Sequence, residues 1–389
     1  MPRTLPAVLR LGTAQTLAWG STYYLPAILA NAMAADLGVG TPTVFVAFSL
    51  ALLLSGLLGP AAGRLIDVHG GHRVLPASNI VFAVALALLG ISPNVATLFG
   101  AWLLMGVAMS AGLYEGAFAA LARIFGAEAR RSIAGITLIA GFASTICWPL
   151  SALMEGALGW RATCFVWALV HLAVCLPLNL GLPHGRAAAH AGPGGEREEA
   201  PRNGRLVMAA LAFVFAATWF CSTAMAAHLP RLLQEAGMGL SAAIAAAALV
   251  GPAQVAARLF EFTLLQKIHP LFSARVACLG HPIGAGVLVL FGAPAGIFFT
   301  LFHGAGNGVM TIAKGTLPLR LFGAHGYGLR QGWITAPARL LQGAAPFVFD
   351  LALTRYGAGA MALTATLSLL SFAVLLAVPY GAAANRQSA

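Results

Sequence analysis

The chain has 389 residues, 59% of them hydrophobic and only 8% charged, and its mean hydropathy is +0.85. So little charge cannot cover the surface of a water-soluble globule of this length, which typically carries about a quarter charged residues. The net charge of +11 is then read as a marker of membrane orientation, not of nucleic-acid binding.

Apolar runs of about 20 residues recur along nearly the whole chain, each long enough to cross a bilayer core. A barrel would show short alternating segments instead. The expected class is an all-α membrane protein with twelve transmembrane helices, at 8–30, 43–63, 74–92, 96–122, 131–155, 160–181, 206–230, 241–264, 273–292, 294–317, 327–351 and 357–380. "MPRTLPAVLR" leads straight into the first run, so no cleavable leader is expected. The five cysteines, Cys147, Cys164, Cys175, Cys221 and Cys278, lie inside apolar runs without metal-type spacing and read as small hydrophobes.

One polar stretch, "HGRAAAHAGPGGEREEAPRNGR", interrupts the pattern and reads as a cytoplasmic linker. It divides the chain into an N-terminal six-helix bundle (1–183), the linker (184–205) and a C-terminal six-helix bundle (206–389). With both termini in the cytoplasm, sixteen of the 22 basic residues fall inside, three (Arg161, Arg231 and Arg355) outside, and three (Arg258, Lys314 and Arg339) within spans.

"GRLIDVHGGHRVL" follows the second span and concentrates Arg64, Asp67, His69, His72 and Arg73 in one short loop. Gly63, Asp67, Gly70 and Arg73 are spaced so that this loop resembles the signature loop of the major facilitator superfamily. It departs at Val68 and Gly71, where that family usually has Arg or Lys. The resemblance implies two pseudo-symmetric halves and a cytoplasmic gate whose Asp caps a helix N-terminus and pairs with basic residues. The second half echoes the loop in one of two registers: Arg258-Leu259 with Glu261, or Gln266-Lys267-Ile268-His269, and the second is favoured because it keeps Arg73 beside Arg275 at the start of the next span.

An ionisable group inside a span costs about 2.5–3.5 kcal/mol on insertion scales and is retained for a purpose. Arg258 and Arg339 stay charged at any relevant pH and invite an anion, against snorkelling or pairing of Arg258 with Glu261. Glu115 reads either as a proton-coupling group or as a partner of an Arg. His303 is the second proton candidate. Lys314 is expected to face the cytoplasmic vestibule, and His171 and His281 to pack. Gln15, Trp19 and Tyr23 share one face of the first span at i, i+4 and i+8 and read as cavity lining, against an interfacial aromatic belt. Tyr114, Asn307 and Gln342 complete the substrate-binding candidates.

"RRSIAGITLIAGFASTICWPLSALMEGALGWR" and "LFGAHGYGLRQGWITAPARLLQGAAPFVFD" resemble the monocarboxylate and oxalate–formate branch of that superfamily. An Arg in span 8 and a cation in span 11 match the pair that grips carboxylate there. The resemblance implies a proton-coupled secondary transporter of a small organic anion, working by alternating access, and the residue usage places it in a bacterial inner membrane. Its expected partners are the anionic substrate, protons and lipid, with no cofactor, no nucleic acid and a monomeric state. The Ala- and Arg-rich composition suits a GC-rich bacterium. Two alternatives stay open. Drug export is one, although span 5 has Pro149 without the flanking glycines of drug antiporters. Metal or metalloid export is the other, on a face made by Cys221, Met225 and His228. No phosphate loop, HExxH or nucleophile elbow suggests an enzyme.

Overall fold

The structure, a computed structural model, describes residues 4–184, 203–265 and 268–380. Residues 185–202, the bulk of the expected linker, and Gln266-Lys267 of the loop echo lie outside the described residues. The described chain is helical: α1 (Thr4–Ser21), α2 (Pro26–Asp36), α3 (Thr41–His69), α4 (Gly71–Ile91), α5 (Val95–Gly112), α6 (Tyr114–Phe125), α7 (Ala129–Ala140), α8 (Ala143–Val170), α9 (Leu176–Leu180), α10 (Gly204–Glu235), α11 (Leu240–Ala248), α12 (Val250–Thr263), α13 (Pro270–Phe291), α14 (Gly296–Phe322), α15 (Tyr327–Tyr356) and α16 (Met361–Ala377). Among the described residues, seven helical stretches are long and apolar enough to cross a membrane. Two of these run through several helices, Val95–Leu180 and Tyr327–Ala377. Neither α1 nor α14 is among the seven.

Several expected spans are broken rather than continuous. Span 1 splits into α1 and α2 because Pro26 has no amide for the ladder, and Ser21 and Thr22 turn their hydroxyls back onto Leu17 and Ala18 carbonyls. Span 4 splits at Leu113, whose backbone is extended. Spans 5 and 6 meet without a loop at Gly159, where φ is +81°, a conformation that only glycine adopts cheaply. Gly70, at φ +85°, likewise turns α3 into α4. Asn94 caps α5 by accepting from the Thr97 amide at 3.0 Å.

The chain forms two compact units, Met1–Arg197 with Gly323–Ala336, and Glu198–Phe322 with Pro337–Ala389. In the first, α3 and α4 pack on α5, α1 on α7 and α4 on α8. Their shared core includes Phe82, Trp102 and Trp167, all fully buried. In the second, α14 packs on α12 and α13, and α16 on α10 and α13, around Phe220, Phe299 and Phe349. Large side chains such as Leu153, Leu290 and Phe347 stand exposed, as lipid-facing positions do. The two arginines expected outside and described here in ion pairs each meet an aspartate, Arg161 with Asp36 at 2.7 Å and Arg231 with Asp350 at 2.6 Å.

Within the first unit α3 meets the first turns of α15 along two facing pairs of glycines. A side chain at Gly63 would collide with the Gly328 backbone, and one at Gly332 would lie 2.5 Å from Gly59. Small residues four apart on both helices let the backbones touch, which is how helices associate in lipid. Gly63→Leu is therefore expected to destabilise the protein by about 1–3 kcal/mol. Gly286→Leu, at a glycine with open space around it, is expected to change stability by less than about 0.5 kcal/mol. Thermal unfolding of the detergent-solubilised variants checks both, and equal losses would remove the close-approach explanation.

Candidate functional site

In the first unit, Asp67 near the C-terminus of α3 accepts hydrogen bonds from the Gly328 and Leu329 amides, at 2.9 and 2.8 Å. These are orphan donors at the start of α15, so the carboxylate caps that helix and complements its dipole. Gly63 and Gly70 give the loop its close approach and its left-handed turn. Arg73 is exposed in the first turn of α4. The described partners of Asp67 are thus amides, where the resemblance implied basic side chains as well. Asp67→Ala is expected to lower stability by about 1.5–3 kcal/mol, the usual worth of charge-assisted hydrogen bonds. Asp67→Asn, which keeps an acceptor oxygen, is expected to lose less. Melting temperatures of the two variants provide the comparison.

Trp19 brings the aromatic candidates Tyr23 and Tyr114 together, with Tyr24 beside them. Its ring centroid lies 5.1 Å from Tyr23, 5.0 Å from Tyr114 and 6.1 Å from Tyr24. Trp19 is buried, so it belongs to this cluster and not to a belt at the membrane surface. Gln15 does something the sequence reading did not foresee. Its amide donates to the Gly112 carbonyl at 2.7 Å, at the break between α5 and α6, and it is fully buried there. Glu115 opens α6, half-buried, at the positive end of the helix dipole. His171 bonds to Ser21 and Asn79 and packs, as expected.

The second unit gathers the cations. Arg339 on α15 stands over the Trp219 ring at 4.5 Å and donates to Gln342 at 3.3 Å. Lys314 on α14 stands over the same ring at 4.4 Å. Both are buried, as is Arg258. Lys314 was expected in a cytoplasmic vestibule. Its burial against Trp219 corrects that placement, because an apolar stem and an indole face hold the ammonium inside. Arg258 on α12 reaches α14 at Thr311, at 3.4 Å, and bonds to Gln254 at 3.3 Å. Thr311 precedes Lys314 by three residues and so shares its face of α14. Trp219 carried no signal in the sequence, since a lone aromatic in an apolar helix is usually core.

A small cavity of about 30 Å³ lies in the same unit, lined among others by Cys221, Cys278, His281, His303, Asn307 and Met310. The His281 and His303 Nδ1 atoms are 2.9 Å apart, and His281 Nε2 is 2.8 Å from the Thr364 hydroxyl. His281 is therefore a bonding partner of His303 and not simply packing. The Cys221–Met225–His228 face of the metal alternative does not converge. Cys221 turns to the Thr364 carbonyl and the Ser368 hydroxyl, while His228 bonds to the Pro346 carbonyl. Among the described residues no group of three His, Cys, Asp or Glu is placed to hold a metal.

Broken apolar helices, buried cations and glycine-lined crossings are features of a polytopic membrane protein. The major facilitator superfamily profile matches residues 11–346, and the chain belongs to that superfamily. Its fold is similar to that of the human organic anion transporter MFSD10 (TETRAN), with a TM-score of 0.71 and 15% identity, over 96% of this chain and 98% of that one. It is also similar to the proton:xylose symporter XylE bound to 6-bromo-6-deoxy-D-glucose, with a TM-score of 0.75 and 12% identity, over 97% and 96%. These likenesses concern the fold. A 61-residue stretch is 43% identical to a multi-drug resistance efflux pump PmrA homolog of Lactococcus lactis subsp. lactis (strain IL1403); it spans 16% of this chain and 15% of that pump.

Proposed function

We propose that the chain is a proton-coupled transporter of a small organic anion, of the monocarboxylate class, in a bacterial inner membrane. The single observation that carries this reading is the pair of buried cations, Lys314 and Arg339, that both stand over one indole ring, Trp219. Like charges brought together in a low-dielectric interior repel, and an anion docked against both relieves that repulsion. The Arg339 guanidinium offers a planar fork that matches a carboxylate, Gln342 orients it, and Lys314 adds a compact point charge. Arg258, anchored one turn along α14 from Lys314, supplies a third cation to the same region. Asn307 and the aromatic cluster of Trp19, Tyr23 and Tyr114 are assigned to the rest of the substrate. Glu115 and His303 are assigned to the proton, and Gly63, Asp67, Gly70 and Arg73 to the cytoplasmic gate. Transport is by alternating access.

Purified protein screened against small carboxylates is expected to melt at a higher temperature with its substrate. A ligand present at about 100 times its Kd adds about 2.7 kcal/mol. That shift is expected to disappear in Arg339→Ala and to shrink in Lys314→Ala and Arg258→Ala. A carboxylate shift of equal size in all three variants overturns the reading.

A further inference from the structure

The hydrogen bonds around His281 allow a directed chain. The Thr364 hydroxyl lies 3.1 Å from the Met361 carbonyl, which can only accept, and 2.8 Å from His281 Nε2. With its one proton given to Met361, the hydroxyl accepts at Nε2. In that arrangement His281 carries its proton on Nε2 and presents a lone pair at Nδ1. A neutral imidazole has one N–H, so the 2.9 Å contact requires His303 to donate from its Nδ1. The basic end of the chain is then His303 Nε2. His303 is 5% exposed and lines the cavity, and among the described residues its hydrogen bond is the one to His281. A volume of about 30 Å³ admits about one water.

The titratable side chains that face the pair are few. Cys278 lies one turn before His281 on α13, and Cys221 faces the cavity from α10. From α16 come the Thr364 and Ser368 hydroxyls. On α14, His303, Asn307, Met310 and Lys314 form one stripe at i, i+4, i+7 and i+11, so Lys314 is the nearest charge along that helix. Among the described residues no carboxylate lines the cavity.

We propose that the His281–His303 pair is the proton-loading site of the transporter, taking one proton from cavity water at His303 Nε2. One N–H bond forms there as one O–H bond of a hydronium breaks. His303 becomes an imidazolium whose Nδ1–H still donates to His281, so loading breaks no bond of the chain. The inference rests on the proton-coupled reading above and gives that reading its acceptor atom and a second residue, His281. It also gives coupling a sign. His303 and Lys314 are eleven residues apart on one helix, about 16 Å at 1.5 Å per residue. A positive charge gained at His303 strengthens anion binding beside Lys314. By reciprocity the anion strengthens proton binding by the same factor.

Magic-angle-spinning NMR of the full-length protein, labelled with 15N-histidine and embedded in lipid bilayers, tests this between pH 8 and pH 4.5. His281→Asn and His303→Gln assign the signals, and circular dichroism reports whether each variant is folded. The expected result at pH 8 is the Nδ1–H tautomer of His303 and the Nε2–H tautomer of His281. As the pH falls, one imidazolium should appear at His303, and its titration should move in His281→Asn. Opposite tautomers, or a pair that stays neutral to pH 4.5 in a folded protein, would overturn the proposal. If His281→Asn does not fold, the wild-type spectrum and His303→Gln still decide between these outcomes. The probe is the proton itself, so failure of the carboxylate screen leaves this result standing, and the reverse holds too.

Discussion

A charged or polar group surrounded by hydrocarbon has no water to turn to, so its partner must come from the protein. The organisation of both units follows from that constraint. The Arg339 and Lys314 side chains find an indole face, Arg258 finds Gln254 and Thr311, and Asp67 finds two backbone amides. Gln15 finds the Gly112 carbonyl where α5 gives way to α6. Each arrangement also fixes the position of a helix, so the polar groups hold the fold as well as serving a site.

The same rule explains what could be read from the sequence. Helical class and the burial of Arg258 and Arg339 were legible because apolar length and rare charge within it are properties of the chain itself. The Asp67 cap was legible because its spacing with Gly63 and Gly70 is local. Trp219 was not, because its meaning depends on two cations that arrive from α14 and α15, some 95 and 120 positions later in the chain. The same holds for His281, whose role is set by Thr364 and His303. The Cys221–Met225–His228 face failed for a related reason: shared helical phase on α10 says nothing about what α15 and α16 present to it, and they draw Cys221 and His228 to different carbonyls. Breaks inside spans were also hidden, since an extended residue such as Leu113 has no distinctive composition.

The polar residues are unevenly shared. The first unit keeps an aromatic cluster around Trp19 and a cap at Asp67, while the second holds the buried cations and the histidine pair. Within the second unit, α14 carries a role in both features. It supplies Lys314 to Trp219, Thr311 to Arg258, and His303 with Asn307 to the cavity. Its extensive packing against α12 and α13 keeps those groups in place.

That concentration has a cost in the membrane. At 27 residues α14 is long enough to cross the bilayer, but its stripe of His303, Asn307 and Lys314 finds no water there. That stripe is covered only once α14 lies against α12 and α13. The helix that carries it is thus a dependent one, whose settling in the membrane is a collective event with its neighbours.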